Sequence, residues 1–168
     1  MGLPKIAPYP LPLAEDLPQP RAPWQPDAAR AALLIHDMQG YFCAAFAPDA
    51  APLAPAVENI ARLAALCRRR GLPVFYTAQT GNQDRRDRGL QADLWGPGMT
   101  ARPEHEDILP ALAPQQGDLR LVKHRYSAFI NTDLNTVLKA RNIQSVLVCG
   151  VATNVCVETT ARDAYMFD

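Results

Sequence analysis

The chain predicts an α/β protein in which a parallel sheet carries helices on both faces. Three observations lead there. Short apolar or β-branched runs at 31–36, 74–77, 119–122 and 146–149 alternate along the chain with helical patterns. The first run, Ala31-Ala32-Leu33-Leu34-Ile35-His36, is apolar until its last residue, as a strand covered on both faces must be. Each run ends in polar residues, and in open parallel sheets ligands bind beyond the carboxyl ends of the strands.

Residues 1–27 hold eight prolines from Pro4 to Pro26, whose fixed φ and missing N–H groups exclude helix and central strand. Ile6, Tyr9, Leu11, Leu13, Leu17 and Trp24 give this arm apolar anchors, so it is expected to lie over the domain or over a partner subunit. The domain proper is expected over 28–168. After the first strand come Asp37 and Met38-Gln39-Gly40-Tyr41-Phe42. A helix is expected from Leu53 to Arg70, with Leu53, Val57, Ile60, Leu63, Ala64 and Cys67 at the 3.6-residue period. Arg68-Arg69-Arg70 complements its C-terminal dipole as a solvated end, Gly71 suits the position after it, and Pro73 forbids continuation.

The second strand, Val74 to Thr77, runs into Ala78-Gln79. A charged segment with Asp84, Arg85, Arg86, Asp87 and Arg88 leads to a turn at Trp95-Gly96-Pro97-Gly98-Met99. The third strand, Leu119 to Val122, ends in Lys123. Thr132 or Asn131 can cap the next helix, with Leu134, Val137 and Leu138 inward and Asn142 as its stop. The fourth strand, Val146 to Cys149, meets Gly150, and the last helix carries Val157, Ala161, Ala164 and Tyr165.

Composition bounds the function. At 168 residues the chain is one domain by length, and 48% hydrophobic with 20% charged residues is a globular balance. Seventeen basic and 17 acidic residues cancel, which argues against nucleic acid or an anionic membrane as partner. No apolar run reaches bilayer length and no signal-peptide core is present, so the expected compartment is the cytoplasm. There Cys43, Cys67, Cys149 and Cys156 should be free thiols. Near-zero net charge gives little protection against self-association, and a homo-oligomer with the arm at an interface is expected.

The four strand ends deliver Asp37, Gln79, Lys123 and the Thr153-Asn154 turn with Cys156 to one edge. Alone, Asp37 could cap a helix, Gln79 could satisfy a loop, and Lys123 could be a surface charge. Cys156 could be a packed thiol. Together they form a coherent machine. Asp37 can take the thiol proton of Cys156, and Lys123 can hold the carboxylate ionised and favour thiolate. Backbone N–H groups near Ala152 and Cys156 can bind an oxyanion, and the dipole of the following helix also favours thiolate. An acyl-enzyme hydrolysed by water would result. His36, His105 and His124 lack ligand spacing.

Three motifs resemble the isochorismatase superfamily: Ala32 to Gln39, Leu121 to Phe129, and Gly150-Val151-Ala152-Thr153-Asn154-Val155-Cys156-Val157. The resemblance spans essentially the whole chain. It implies a three-layer αβα sandwich with a parallel, Rossmann-like sheet, no cofactor, and a small-molecule substrate. The arm, Tyr76 to Gln79 and Trp95 to Met99 are similar to true isochorismatases of siderophore and phenazine pathways. That likeness implies substrate binding by Gln79 and Arg88, with Trp95 and Ala152 beside them. It also implies Asp37 as a general acid on the enol carbon of isochorismate, which requires burial to outweigh Lys123 and keep Asp37 protonated.

The catalytic loop departs from that group. Ala152-Thr153-Asn154 stands where Tyr-Ala-His is usual and Cys156 where Gly is usual, a pattern typical of the family's cysteine amidases. A cysteine amidohydrolase acting on a small amide or carbamoyl group is therefore the alternative, and a non-catalytic binding module a third. The Asp-x-His metal motif of zinc-dependent nicotinamidases is replaced by Thr77-Ala78-Gln79-Thr80, so no metal is expected. Family members continue beyond the position of Asp168, so a further strand and helix are expected to be missing from this chain.

Overall fold

A computed structural model describes residues 3–168. Strand β1 (Ala31–His36) is followed by a short helix α1 (Gly40–Cys43), the long helix α2 (Leu53–Arg69) and strand β2 (Val74–Ala78). Helices α3 (Arg85–Arg88), α4 (Gln91–Trp95) and α5 (Pro103–Glu106) precede strand β3 (Leu119–Val122). Helix α6 (Leu134–Ala140), strand β4 (Ser145–Gly150) and helix α7 (Glu158–Met166) complete the chain. The sheet is parallel throughout, in the order β3-β2-β1-β4.

The central strands explain the layers. Successive side chains of a strand point to opposite faces. Leu33 and Ile35 of β1 and Val74 and Tyr76 of β2 pack with Leu53, Ile60, Ala64 and Cys67 of α2. Ala32, Leu34 and Phe75 pack on the other face with Ala128, Phe129, Leu134 and Leu138. Both faces are thus covered, as the apolar run of β1 requires. Gly71 at φ 71° and Asn142 at φ 54° end α2 and α6 in the left-handed region, where expected.

In α7 the fully buried residue is Thr160, whereas Ala161 and Tyr165 are exposed. Thr153–Val157 form a π-helical turn, which holds more residues than an α turn and so rotates the phase of the helix after it. A count at period 3.6 across that turn therefore slips. Three local expectations need correction. Arg68 is not a solvated end. It pairs with Asp118 at 2.6 Å and donates to Tyr76 Oη at 2.9 Å, tying α2 to the start of β3. The N-cap of α6 is Asp133, with Thr132 Oγ1 still accepting from Leu134 N–H at 3.2 Å. The arm also contains one 3-10 turn, Ala14–Asp16, closed by Asp16 accepting from Leu13 N–H.

The start of the arm lies on its own domain, through Ile6 N–H to Ala45 O at 2.8 Å and Lys5 Nζ to Ala44 O at 2.7 Å. Its later apolar residues stay open: Leu13, Leu17 and Trp24 are 61%, 56% and 75% exposed.

Gly150 ends β4 at φ 118°, paired with His36, and a Cβ there would collide with the His36 backbone. Gly150→Ala should therefore cost more than about 2 kcal/mol, because it adds a clash to an unfavourable φ. Urea unfolding monitored by circular dichroism checks this.

Candidate active site

Parallel register brings the strand ends together. His36 pairs with both Thr77 and Gly150, and Ala78 pairs with Val122. The next residues along the chain, Asp37, Gln79, Lys123 and the loop after Gly150, therefore emerge at one edge. Asp37 has φ 50°, unusual for a non-glycine residue. The turn breaks strand alternation and brings the Asp37 carboxylate beside the ring of His36.

Asp37 and Lys123 form a buried ion pair. Lys123 Nζ lies 2.7 Å from Asp37 Oδ2, and neither residue is more than 1% exposed. Lys123 also donates to Arg125 O at 2.9 Å. Thr77 Oγ1 donates to Asp37 Oδ1 at 2.7 Å and accepts from Asp37 N–H at 3.1 Å. Burial pushes the Asp37 carboxyl up, but Lys123 and His36 outweigh it and bring it down to about 2. Asp37 is therefore ionised, contrary to the expectation that burial keeps it protonated.

Asp37 and Cys156 line a cavity of about 170 Å3, with Gln79, Arg88, Trp95 and Ala152 among its other walls. Lys123 does not line it; it acts on Asp37 from behind. Gln79 is held by Gln39, whose Nε2 donates to Gln79 O at 2.8 Å and whose Oε1 accepts from Gln79 N–H at 2.7 Å. Arg88 is 7% exposed and donates through Nε to Gly96 O at 2.6 Å. It makes no ion pair among the described residues, and burial pulls its pKa below the ordinary value. Gly98 lets the guanidinium sit close, since a Cβ there would come within 2.6 Å of Nη1. Trp95 Nε1 donates to Tyr126 Oη at 2.6 Å, closing one side, and Leu3 of the arm reaches the same cavity.

Cys156 sits within the π-helical turn that comes after β4. Burial raises its thiol pKa. Lys123 and a hydrogen bond from the Ala152 backbone pull it down, and Asp37 pushes it up again. The net shift is upward, so the resting group is a thiol. The thiolate expected from a helix start is overridden by desolvation. No group of three or more His, Cys, Asp or Glu among the described residues could hold a metal ion.

Several residues of this site escaped sequence reasoning. Gln39, Thr77 and Tyr126 stand inside or next to the motifs, but nothing in their spacing says which group each will meet. The one available signal was a polar residue at the end of a fully apolar run, where an unsatisfied group would be costly.

Lys123→Met should destabilise the fold by about 3–5 kcal/mol, since it leaves a buried carboxylate unpaired, and adding Asp37→Asn should recover part of that loss. Urea denaturation of the single and double variants checks this. The sign with pH comes from the lowered Asp37 value. Its stabilisation is complete above the unfolded value of 3.8 and is lost as pH falls towards about 2.

Comparison with known proteins places the arrangement. The Isochorismatase domain family matches residues 31–168. The chain is 43% identical over 168 residues to an isochorismatase of Bacillus subtilis, covering all of this chain and 54% of that protein. It is 46% identical over 167 residues to the phenazine biosynthesis protein PhzD of Pseudomonas fluorescens, covering 99% of this chain and 80% of that one. The chain thus spans about half the length of the Bacillus relative and more of the Pseudomonas one. Among solved structures, a cysteine hydrolase from Pseudomonas syringae pv. phaseolicola superposes with a TM-score of 0.78 at 34% identity, covering 89% of this chain and 72% of that one. On the family match, the relatives and the shared fold, this chain belongs to the isochorismatase family.

Proposed function

We propose that the chain carries an isochorismatase-type hydrolase activity of siderophore- or phenazine-type metabolism. It cleaves the vinyl ether of isochorismate to pyruvate and 2,3-dihydro-2,3-dihydroxybenzoate. The observation that carries this reading is Arg88, a buried guanidinium without an anionic partner among the described residues, facing the same cavity as Asp37. Such a group calls for an anionic ligand, and isochorismate is a dicarboxylate. The name of the Bacillus relative, an isochorismatase, supports the same substrate, and that of the Pseudomonas relative supports a setting in phenazine biosynthesis.

In this reading Asp37 delivers a proton to the enol carbon. Water adds to the resulting oxocarbenium, and collapse of the hemiketal releases pyruvate. Asp37 must first gain that proton. A dicarboxylate entering beside it adds negative charge, which raises its proton affinity in the complex. Lys123 and Thr77 hold the carboxylate in place, while Gln79 and Arg88 bind the substrate against Trp95 and Ala152.

A second reading rests on Cys156 in the same cavity, and on the likeness to a cysteine hydrolase. With Asp37 already ionised, it can take the thiol proton as Cys156 attacks a small amide or carbamoyl carbon. The arm belongs to the proposal as well: exposed Leu13, Leu17 and Trp24 support a homo-oligomer with residues 1–27 at its interface and 28–168 as the hydrolase domain. A cytoplasmic setting is supported by four free thiols. No helix of the described residues is long and apolar enough to cross a membrane.

Pyruvate release from isochorismate, followed by a coupled dehydrogenase assay, tests the leading reading; a folded protein with no release above background refutes it. Arg88→Met should raise KM by about tenfold or more, as loss of a charged hydrogen bond predicts. Cys156→Ala should leave the vinyl-ether reaction within about threefold, whereas a nucleophilic role would abolish turnover. The pH profile separates the routes by sign. With Asp37 ionised in the free enzyme, the general-acid route loses kcat/KM as pH rises through neutrality. A cysteine route holds or gains, because both carboxylate and thiolate are then favoured.

A further inference from the structure

His36 has a place in the site that the mechanism above does not use. It is the last residue of β1, wholly buried, with both ring nitrogens facing defined groups. Nε2 lies 3.0 Å from Thr160 Oγ1 on α7. Nδ1 lies 3.4 Å from Asp37 Oδ2, longer than a formed hydrogen bond, and has no hydrogen-bond partner among the described residues.

The tautomer is fixed by counting protons. A threonine hydroxyl has one proton to donate and two lone pairs to accept with. Thr160 Oγ1 accepts from Ala128 N–H at 3.0 Å, an amide of the segment that begins with Lys123. Its own proton needs an acceptor, since both residues are fully buried and an orphaned donor is costly. A helical threonine usually returns this proton to the carbonyl four residues back. Thr159 does so, donating to Val155 O at 2.6 Å. Thr160 makes no such bond to Cys156 O, and His36 Nε2 is the acceptor in its reach. Nε2 therefore carries no proton, and the neutral ring carries its proton on Nδ1, aimed at the carboxylate. The opposite tautomer would strand the Thr160 proton and set an Nδ1 lone pair against Asp37.

We propose that His36 is a positioning residue for Asp37, directing Nδ1–H at its Oδ2 across 3.4 Å in a tautomer that the Thr160 hydroxyl selects. Three side chains from three strand ends then fix the carboxylate: Thr77 on Oδ1, and Lys123 and His36 on Oδ2. Thr160 stands one turn after Cys156 on the continuous π-to-α segment, so the catalytic loop and Asp37 are registered through this relay. The catalytic consequence rests on the reading of Asp37 as the acid or base; the tautomer does not.

Long-range proton–nitrogen NMR on the full chain labelled at histidine nitrogens reads the tautomer without any turnover. At neutral pH the His36 signals should show a protonated Nδ1 and a bare Nε2. A protonated Nε2, or an imidazolium, overturns the proposal, and this arm needs no variant. Thr160→Val should move the His36 proton towards Nε2 and lower kcat on isochorismate by about tenfold with KM little changed, the size expected for one charged hydrogen bond. Thr160→Ser, which keeps the hydroxyl, should restore both. An unchanged tautomer in Thr160→Val, or an unchanged kcat with a changed tautomer, overturns it. Failure of isochorismate itself as substrate shows as zero pyruvate with wild type and leaves the NMR result standing.

Discussion

Two opposite charges sit at the centre of this molecule with almost no access to water. Lys123 and Asp37 meet at 2.7 Å at the edge of the sheet, on strands that are not neighbours. Burying either alone would be strongly unfavourable, so each requires the other in register. Thr77, projecting from the strand between them, hydrogen-bonds the carboxylate, and the ring of His36, adjacent to Asp37, lies 3.4 Å from it. The parallel pairing of β1 with β2 and of β2 with β3 is what holds these four residues within reach. The cavity is then built outward from this charge pair.

The same pair sets the electrostatics of both chemistries proposed for the site. It keeps Asp37 ionised, which suits a base. An acid must gain its proton with the substrate, and a dianion is the kind of ligand that provides the driving force. Cys156 feels Lys123 and Asp37 in opposite senses, and its desolvation outweighs both. A nucleophilic motif is thus present without a resting thiolate. Arg88, buried beside Gly98 and without an acidic partner among the described residues, puts an uncompensated positive charge at the cavity wall.

Much of the fold was legible because it rests on local rules. The apolar run of β1, the 3.6 period of α2 and the Gly71 stop depend on nearby residues alone. Asp37, Gln79, Arg88, Trp95, Ala152 and Cys156 were identified as pocket residues, and all line one cavity. Lys123 was identified too, but its place behind Asp37 could not be read. Whether a lysine at a strand end faces solvent or a carboxylate depends on a strand distant in sequence. The phase of α7 is not legible in the sequence, because a π turn is a property of packing rather than of residue type.

By itself, the sequence determined which segments become strands and helices and which polar residues share the carboxyl edge. Periodicity and stop residues encode the first, and parallel alternation implies the second. Only the tertiary structure decided which groups touch and in which charge state. It placed Lys123 out of the cavity, ionised Asp37, left Arg88 without an acidic partner among the described residues, and set Thr160 against His36. The physical reason is that charge state and hydrogen-bond direction depend on burial and on atoms brought within about 3 Å, and those atoms come from residues up to 124 positions apart.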